Sequence, residues 1–367
     1  MSPAAATLVF GPAYLDRVIR VDGPLLDPSL GWPPLDRSVD GDWLTRDNGH
    51  NFLSLVDPLG RMLRVEVPSS WPGAVGMVAL SRPLFGPEPR QVRGLTTVDD
   101  LGGMGAGFAA SLGGMLVSAL GDEDDPTTRA IVALLERAGI AHEPSRVADH
   151  PADWTLLISS GVHGDKLPVG FRVCHAAWTD LSRWAGRASR VRVVAALPNR
   201  LACEALGGGP AEVRAFFPNS RNMLDRAEPV AGFAHRFDVL SCNQGEWDDL
   251  GDGASALALV PVVAITDGPR GATVRFQSPA GESDQIEVPA FPRVTPIADT
   301  NHAGEAFAAT LLATLVEAGW TPGPASPDLV RRAAWRGSAA SGLVLGRTDF
   351  GFPTATEIDE AVRRGVV

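Results

Sequence analysis

The segment Asp299-Thr-Asn-His-Ala-Gly-Glu-Ala-Phe307 sets acidic, basic and small residues directly ahead of an apolar run, Ala308-Ala-Thr-Leu-Leu-Ala-Thr-Leu315. A glycine-containing turn that opens a long helix leaves backbone N–H groups unpaired at the positive end of the helix dipole, which suits a phosphate. A carboxylate in the same place repels phosphate. It is the right group, however, if a hydroxyl proton must be accepted while backbone amides hold a transferring phosphoryl group. An acid that only complements the helix dipole accounts for the same residues, so both readings stand on this segment alone.

The surrounding elements must hold that turn. Thr7-Leu-Val-Phe10 is a short apolar run stopped by Gly11-Pro12 and reads as a buried strand. Between residues 23 and 100 the chain is rich in Pro, Gly and Trp and has no long helical period. Phe52-Leu-Ser-Leu-Val and Arg61-Met-Leu-Arg-Val-Glu-Val flank Asp57-Pro-Leu-Gly60 and predict a hairpin, with a further strand over 75–80. From residue 102 onward helical and strand patterns alternate. Helices are expected over 105–112, after the cap Asp125 and Pro126, and over 304–318, 327–345 and 355–364, the last behind a capping box at Thr354 and Glu357. Strands are expected over 115–120, 154–158, 170–174, 191–197, 213–217, 238–241 and 261–266. Apolar strands without alternation, separated by helices, indicate a parallel sheet covered on both faces. The expected organisation is a main α/β domain from residues 1–22 and 101–367, with 23–100 inserted as an enlarged, mainly β lid.

Composition narrows the function classes. The 367 residues are 45% hydrophobic and 20% charged, as in a globular protein, and the net charge of −11 argues against nucleic acid as a partner. No apolar run is long enough to span a membrane, and residues 1–10 lack a basic region followed by an apolar stretch. A cytoplasmic protein with no membrane partner is therefore expected. Cys174, Cys203 and Cys242 are odd in number and lack CxxC spacing, which suits buried free thiols. The seven histidines show no metal-ligand spacing.

The loop at 299–307 resembles the D-T-x-G-A-G-D-x-F motif of PfkB kinases, the family of ribokinase, adenosine kinase and fructokinase. Asp299, Thr300, Ala303, Gly304 and Phe307 match it. The resemblance implies a doubly wound, mostly parallel ribokinase-like sheet with helices on both faces and a small β-sheet lid. It also implies an ATP- and Mg²⁺-dependent kinase acting on a hydroxyl of a sugar-like or nucleoside acceptor. By the same resemblance Glu305 is the catalytic base and the backbone of Ala303, Gly304 and Glu305 forms the anion hole. His302 replaces the first glycine of the motif. A Cβ there makes a positive φ costly, while the imidazole offers a hydrogen bond or charge to phosphoryl oxygens.

Other segments follow in the family's order. The stretch 102–113 resembles the segment whose paired glycines, here Gly102 and Gly103, approach the acceptor, with Gly107 in place of the usual Asn. Residues 11–16 resemble the N-terminal element in which an Asp, here Asp16, holds acceptor hydroxyls, and Tyr14 stands where an Asn is common. Asn243 and Glu246 match the N-x-x-E motif that organises Mg²⁺ through water. Thr266, Gly268 and Gly271 match the T-x-G-x-x-G loop at the nucleotide, to which the resemblance also assigns Asp299. Ser341 lies where relatives place an Asn near the adenine. Family lids often pair between subunits, so a homodimer through the lid is compatible with the resemblance.

Each match has a structural alternative. The 266–271 loop also suits a plain hairpin turn, Asn243 and Glu246 a strand-end turn with a solvated helix residue, and Gly102-Gly103 a simple strand-to-helix turn. Asp16 reads equally as a surface acid, Tyr14 as packing beneath the lid, and Ser341 as a small helix-packing residue. Because His302, Glu305 and Gly107 all depart from the family pattern, a nucleotide- or sugar-binding protein with little or no catalysis is the competing reading.

Overall fold

The apolar runs assemble into a nine-stranded sheet in a computed structural model that describes residues 7–25, 39–45, 51–69, 71, 75–160 and 165–367. The strands lie in the order Ser283–Val288, Ala272–Gln277, Val262–Thr266, Val239–Asn243, Ala211–Phe217, Ser189–Ala195, Thr7–Phe10, Met115–Leu120 and His142–Arg146. From Val262–Thr266 to His142–Arg146 every pairing is parallel. Ala272–Gln277 and Ser283–Val288 are added antiparallel at one edge. Strand residues alternate between two cores. Val9 and Phe217 face the helices Met104–Leu112, Ala303–Glu317 and Pro327–Val344, while Phe10 and Phe216 face the opposite helical layer. Burial on both faces is why these strands carry no polar alternation.

Local signals set the helix ends. Asp125 accepts from the Thr128 N–H at the start of Pro126–Arg137, and the Thr354–Glu357 capping box opens Ala355–Arg364. The strand expected over 170–174 is corrected. The strand is Asp165–Phe171, and a helical turn, Cys174–Ala177, follows. The cause is Asp153, whose Oδ1 accepts the N–H groups of Val173 (2.6 Å) and Cys174 (2.8 Å) and so draws them out of the ladder.

The second β layer is a closed barrel of eight strands. Around it run Trp154–Ser160, Asp165–Phe171, Val39–Thr45, Gly76–Leu80, Phe52–Val56, Met62–Glu66, Arg90–Gly102 and Tyr14–Val21, and the last pairs with the first. Strands from outside residues 23–100 therefore contribute to it. Of the 23–100 segment, residues 26–38, 46–50, 70 and 72–74 lie outside the described residues, as do residues 1–6 at the N-terminus. The predicted hairpin is present as Phe52–Val56 and Met62–Glu66. Asp57 fixes its turn, accepting from Leu59 and Arg61 through Oδ1 and from Leu84 and Phe85 through Oδ2. Alternating residues Ile19, Leu53, Leu63, Val78, Val92, Leu156 and Leu167 fill the barrel, so their neighbours in sequence point outward. Trp154–Ser160, Asp165–Phe171, Tyr14–Val21 and Arg90–Gly102 are adjacent in the barrel wall, and the last two meet the segment 299–302 across a seam, where Asp16, Val18 and Asp100 line a hollow with Asp299 and His302. Among the described residues, no helix is long and apolar enough to cross a membrane.

Candidate active site

His302 sits at the N-cap of the helix Ala303–Glu317 with φ 63° and ψ 3°, a left-handed conformation that favours glycine. That conformation costs about 1–2 kcal/mol for a residue with a Cβ. Packing offsets it, since the imidazole meets the Phe350 and Phe352 rings edge-on at 5.2 and 5.6 Å. His302 Nδ1 lies 3.7 Å from Glu305 Oε1, an ion-pair distance rather than a hydrogen bond. Burial pushes the His302 pKa down, but the Glu305 carboxylate and then Asp16 outweigh it and the net shift is upward. Burial likewise pushes Glu305 up, and His302 and Lys166 more than reverse it, leaving the carboxyl below its usual range. The first bond inside the helix runs from the Ala306 N–H to the His302 carbonyl, and a Cβ placed on Gly304 would meet nothing within 4 Å. The amide end of the helix thus opens on free space. Ser341 ties its hydroxyl to the Ala303 carbonyl (2.7 Å), bracing the first turn, and Asp299 Oδ1 accepts the Asn301 N–H (2.8 Å) within the loop.

Across the seam stands Asp16, on the barrel strand Tyr14–Val21. Its Oδ1 is buried without a hydrogen-bond partner. Burial raises its pKa, opposed by His302, Arg172 and a hydrogen bond from Thr155. Thr155 Oγ1 in turn accepts from Arg172 (3.0 Å), so the guanidinium sets the carboxylate's orientation through one hydroxyl. Gly102 makes room for it: a Cβ there would lie 2.2 Å from Asp16 Cγ and 2.3 Å from both oxygens. Gly103 has φ 95° and a Cβ there would strike the Pro12 carbonyl at 2.4 Å, so it serves the close crossing of strand and helix. At Gly107 an added Cβ would meet Phe352 at 3.2 Å and Glu305 Cγ at 3.4 Å. The volume that an Asn side chain would need is thus taken by Phe352. Tyr14 lies on the same strand face as Asp16, two residues away, with Arg172 stacked 3.7 Å over its ring. Burial raises its pKa to about 12. Behind it, His175 bonds to Asp153 Oδ2 at 3.1 Å with Cys174 alongside, a buried cluster that the histidine spacing did not reveal.

Two sets of residues escaped the sequence reading. Lys166, on the barrel strand Asp165–Phe171, points outward beside the inward Leu167. The charges acting on it are Asp299, Asp16 and Glu305, in that order. Burial lowers its pKa and those carboxylates offset part of the shift. One signal could have found it: among 32 Lys and Arg in the chain, it is the only lysine. Phe350 and Phe352 follow a polar turn that gives no hint of a packing role. The Phe350 N–H donates to Asp100 Oδ2 (2.9 Å), fastening this segment to the barrel strand that ends at Gly102. With it in place, the hollow lined by Asp16, Asp299, His302 and Phe350 measures about 20 Å³, room for roughly one water.

The residues expected at the nucleotide form a second group at the carboxyl ends of adjacent strands, where open α/β sheets bind ligands. Asn243 and Thr266 are register partners. Asn243 and Glu246 cap one another's backbone N–H groups at 2.8 and 2.9 Å. Gly268 (φ 52°) and Gly271 (φ 95°) shape the turn that follows Thr266.

This architecture has close counterparts among solved structures. Ribokinase from Giardia lamblia superposes with a TM-score of 0.64 at 16% identity, covering 98% of this chain and 99% of that one. A nucleoside kinase from Methanocaldococcus jannaschii gives 0.63 at 12% identity, over 99% and 100%. The fold is ribokinase-like. Arabidopsis thaliana ribokinase complexed with ribose and ATP superposes on the same ribokinase-like frame with a TM-score of 0.62 at 14% identity, over 98% and 99%. No protein-family model and no curated protein sequence matches the chain.

Proposed function

We propose that this protein is an ATP- and Mg²⁺-dependent phosphotransferase of the PfkB type, acting on a hydroxyl of a small sugar-like or nucleoside acceptor. The observation that carries the reading is the meeting of Asp16 and Glu305, from barrel and main domain, at an amide-bearing helix end that opens on free space. Asp16, with an unpartnered buried oxygen, accepts a hydrogen bond from the acceptor hydroxyl and aims it. Glu305 takes the hydroxyl proton. The amides of 303–305 receive the oxygens of the transferring group, and His302, whose protonated form Glu305 and Asp16 favour, adds charge there. Asn243 and Glu246 offer the oxygen ligands that suit Mg²⁺ held through water, and Thr266 with the Gly268–Gly271 turn lines the nucleotide side. Bound Mg²⁺ supplies neutralisation of the phosphate charge. Arabidopsis ribokinase, solved with ribose and ATP, supports the pairing of acceptor and donor.

A second reading, a binding protein without turnover, draws on the His302–Glu305 pair and on Phe350 and Phe352, which crowd the base. An ADP-release assay with Mg·ATP against sugars, sugar phosphates and nucleosides separates the two. Phosphotransfer predicts acceptor-dependent turnover that falls on the order of 10²- to 10⁴-fold in Glu305→Gln, the usual contribution of a general base. Saturable ligand binding with no turnover, or full turnover in the variant, would refute this assignment of the base.

A further inference from the structure

We propose that Asp153, Cys174 and His175 form a zinc site that ties the base of a barrel hairpin beside the main sheet. The site lies behind Tyr14, whose ring meets the His175 ring edge-on at 5.4 Å.

Ligand chemistry comes first. A sulfur, a ring nitrogen and a carboxylate oxygen of these residues all lie within 4.8 Å of one another, the one such gathering among the described residues. All three side chains are buried. His175 Nδ1 stands 3.1 Å from Asp153 Oδ2 and 3.7 Å from Cys174 Sγ. Zinc bonds of about 2.0 Å to nitrogen and oxygen and about 2.3 Å to sulfur put adjacent corners of a tetrahedron about 3.3 and 3.5 Å apart. The three atoms thus outline one face of a coordination shell, and a water completes it.

Proton accounting comes second. Ser118 Oγ accepts the Ala13 N–H at 2.9 Å and donates its only proton to the Ala119 carbonyl at 3.3 Å. Toward His175 Nε2, 3.4 Å away, the hydroxyl is left as an acceptor, which assigns the ring hydrogen to Nε2. The Nδ1 lone pair of the neutral ring then faces the Asp153 carboxylate. Two acceptors at that distance repel unless a cation lies between them.

Charge comes third. Asp153 Oδ1 already accepts the N–H groups of Val173 and Cys174, which leaves Oδ2 for the ion. A divalent cation held by one thiolate, one carboxylate and one neutral imidazole has no net charge, as a buried site requires. The sulfur and imidazole donors suit zinc better than magnesium. On binding, Cys174 gives its thiol proton to solvent, a proton that burial otherwise holds on the sulfur, while Nδ1 and Oδ2 contribute lone pairs. Asp153 directly precedes the strand Trp154–Ser160, and Cys174 and His175 follow Asp165–Phe171, so one ion joins both ends of that hairpin.

The test uses untagged protein purified without chelator. Elemental mass spectrometry should find one zinc per chain, and X-ray absorption at the zinc edge should show one sulfur among nitrogen and oxygen neighbours. After zinc is removed with dipicolinate, added Co²⁺ should give a thiolate-to-cobalt charge-transfer band in the wild type, Cys203→Ala and Cys242→Ala, and none in Cys174→Ala. The absorption spectrum needs no variant, so the proposal stays testable where Cys174→Ala does not fold. Substoichiometric zinc with no cobalt–thiolate band in the wild type would overturn the site and leave a proton between His175 and Asp153. Zinc with no sulfur neighbour, or a band that survives in Cys174→Ala, would overturn it as well. None of these readouts involves Mg·ATP, so their failure leaves the phosphotransfer reading standing.

Discussion

Replacing Gly102 with alanine separates function from stability at this site. The added methyl would lie 2.2 Å from Asp16 Cγ, and ordinary contact begins near 3.4 Å, so the carboxylate must retreat by about 1.2 Å. It sits at the end of a short side chain and can rotate away, which spares the backbone. A misplacement on the order of 1 Å costs about 100-fold in rate, or about 2.7 kcal/mol of barrier. Stability should barely move. Gly102 does not have a positive φ, so alanine gains roughly 0.4–1 kcal/mol from a restricted unfolded chain, against about 1 kcal/mol for the weakened Thr155 hydrogen bond. Gly103→Ala is the contrasting variant. Its φ of 95° and the Pro12 carbonyl 2.4 Å away leave no easy escape, and unfolding should be easier by about 1–3 kcal/mol. The assays are kcat/KM for the acceptor found by ADP release, the dissociation constant for Mg·ATP, and thermal unfolding. Gly102→Ala should lose about 100-fold in kcat/KM with Mg·ATP affinity and Tm nearly unchanged. Retention of kcat/KM within threefold would show that Asp16 does not position the acceptor.

Two further outcomes follow from the charges and contacts around the loop. With His302 raised above 6.5 and Glu305 lowered below 4.5, the pair is doubly charged between the two shifted values. Its stabilisation through His302 is full below pH 6.5 and is lost as pH rises through the folded-state pKa. Its stabilisation through Glu305 is full above pH 4.5 and is lost as pH falls through the folded-state value. An NMR titration should place the His302 midpoint above 6.5 in the wild type and lower in Glu305→Gln; identical midpoints would remove Glu305 as the cause. Asp100→Ala deletes the charged acceptor of the Phe350 N–H, a bond worth about 1.5–3 kcal/mol. Hydrogen exchange at Phe350 should accelerate about tenfold or more without a matching loss of Tm, and unchanged exchange would mean that packing alone holds the segment.

The main sheet and the turn that opens the helix Ala303–Glu317 were legible because their information is local. Apolar β-branched runs, caps at Asp125 and Thr354, and a small-residue turn before an apolar helix each lie within a few residues of one another. The barrel was not legible, since closure depends on Tyr14–Val21 pairing with Trp154–Ser160, far apart in sequence, and no local pattern carries that register. Lys166 was hidden for the same reason: its partners Asp16, Asp299 and Glu305 come from distant segments, and only its rarity marked it. Asp153 defeated the strand expected over 170–174 because a side chain twenty residues away took over the backbone N–H groups of Val173 and Cys174.

The closed barrel has one more consequence. Tyr14–Val21, which carries Asp16, and Asp165–Phe171, which carries Lys166, both pair with Trp154–Ser160, and every barrel strand has two neighbours among the described residues. With no free edge among the described residues, none of these strands offers an unpaired ladder on which a second copy could extend the sheet.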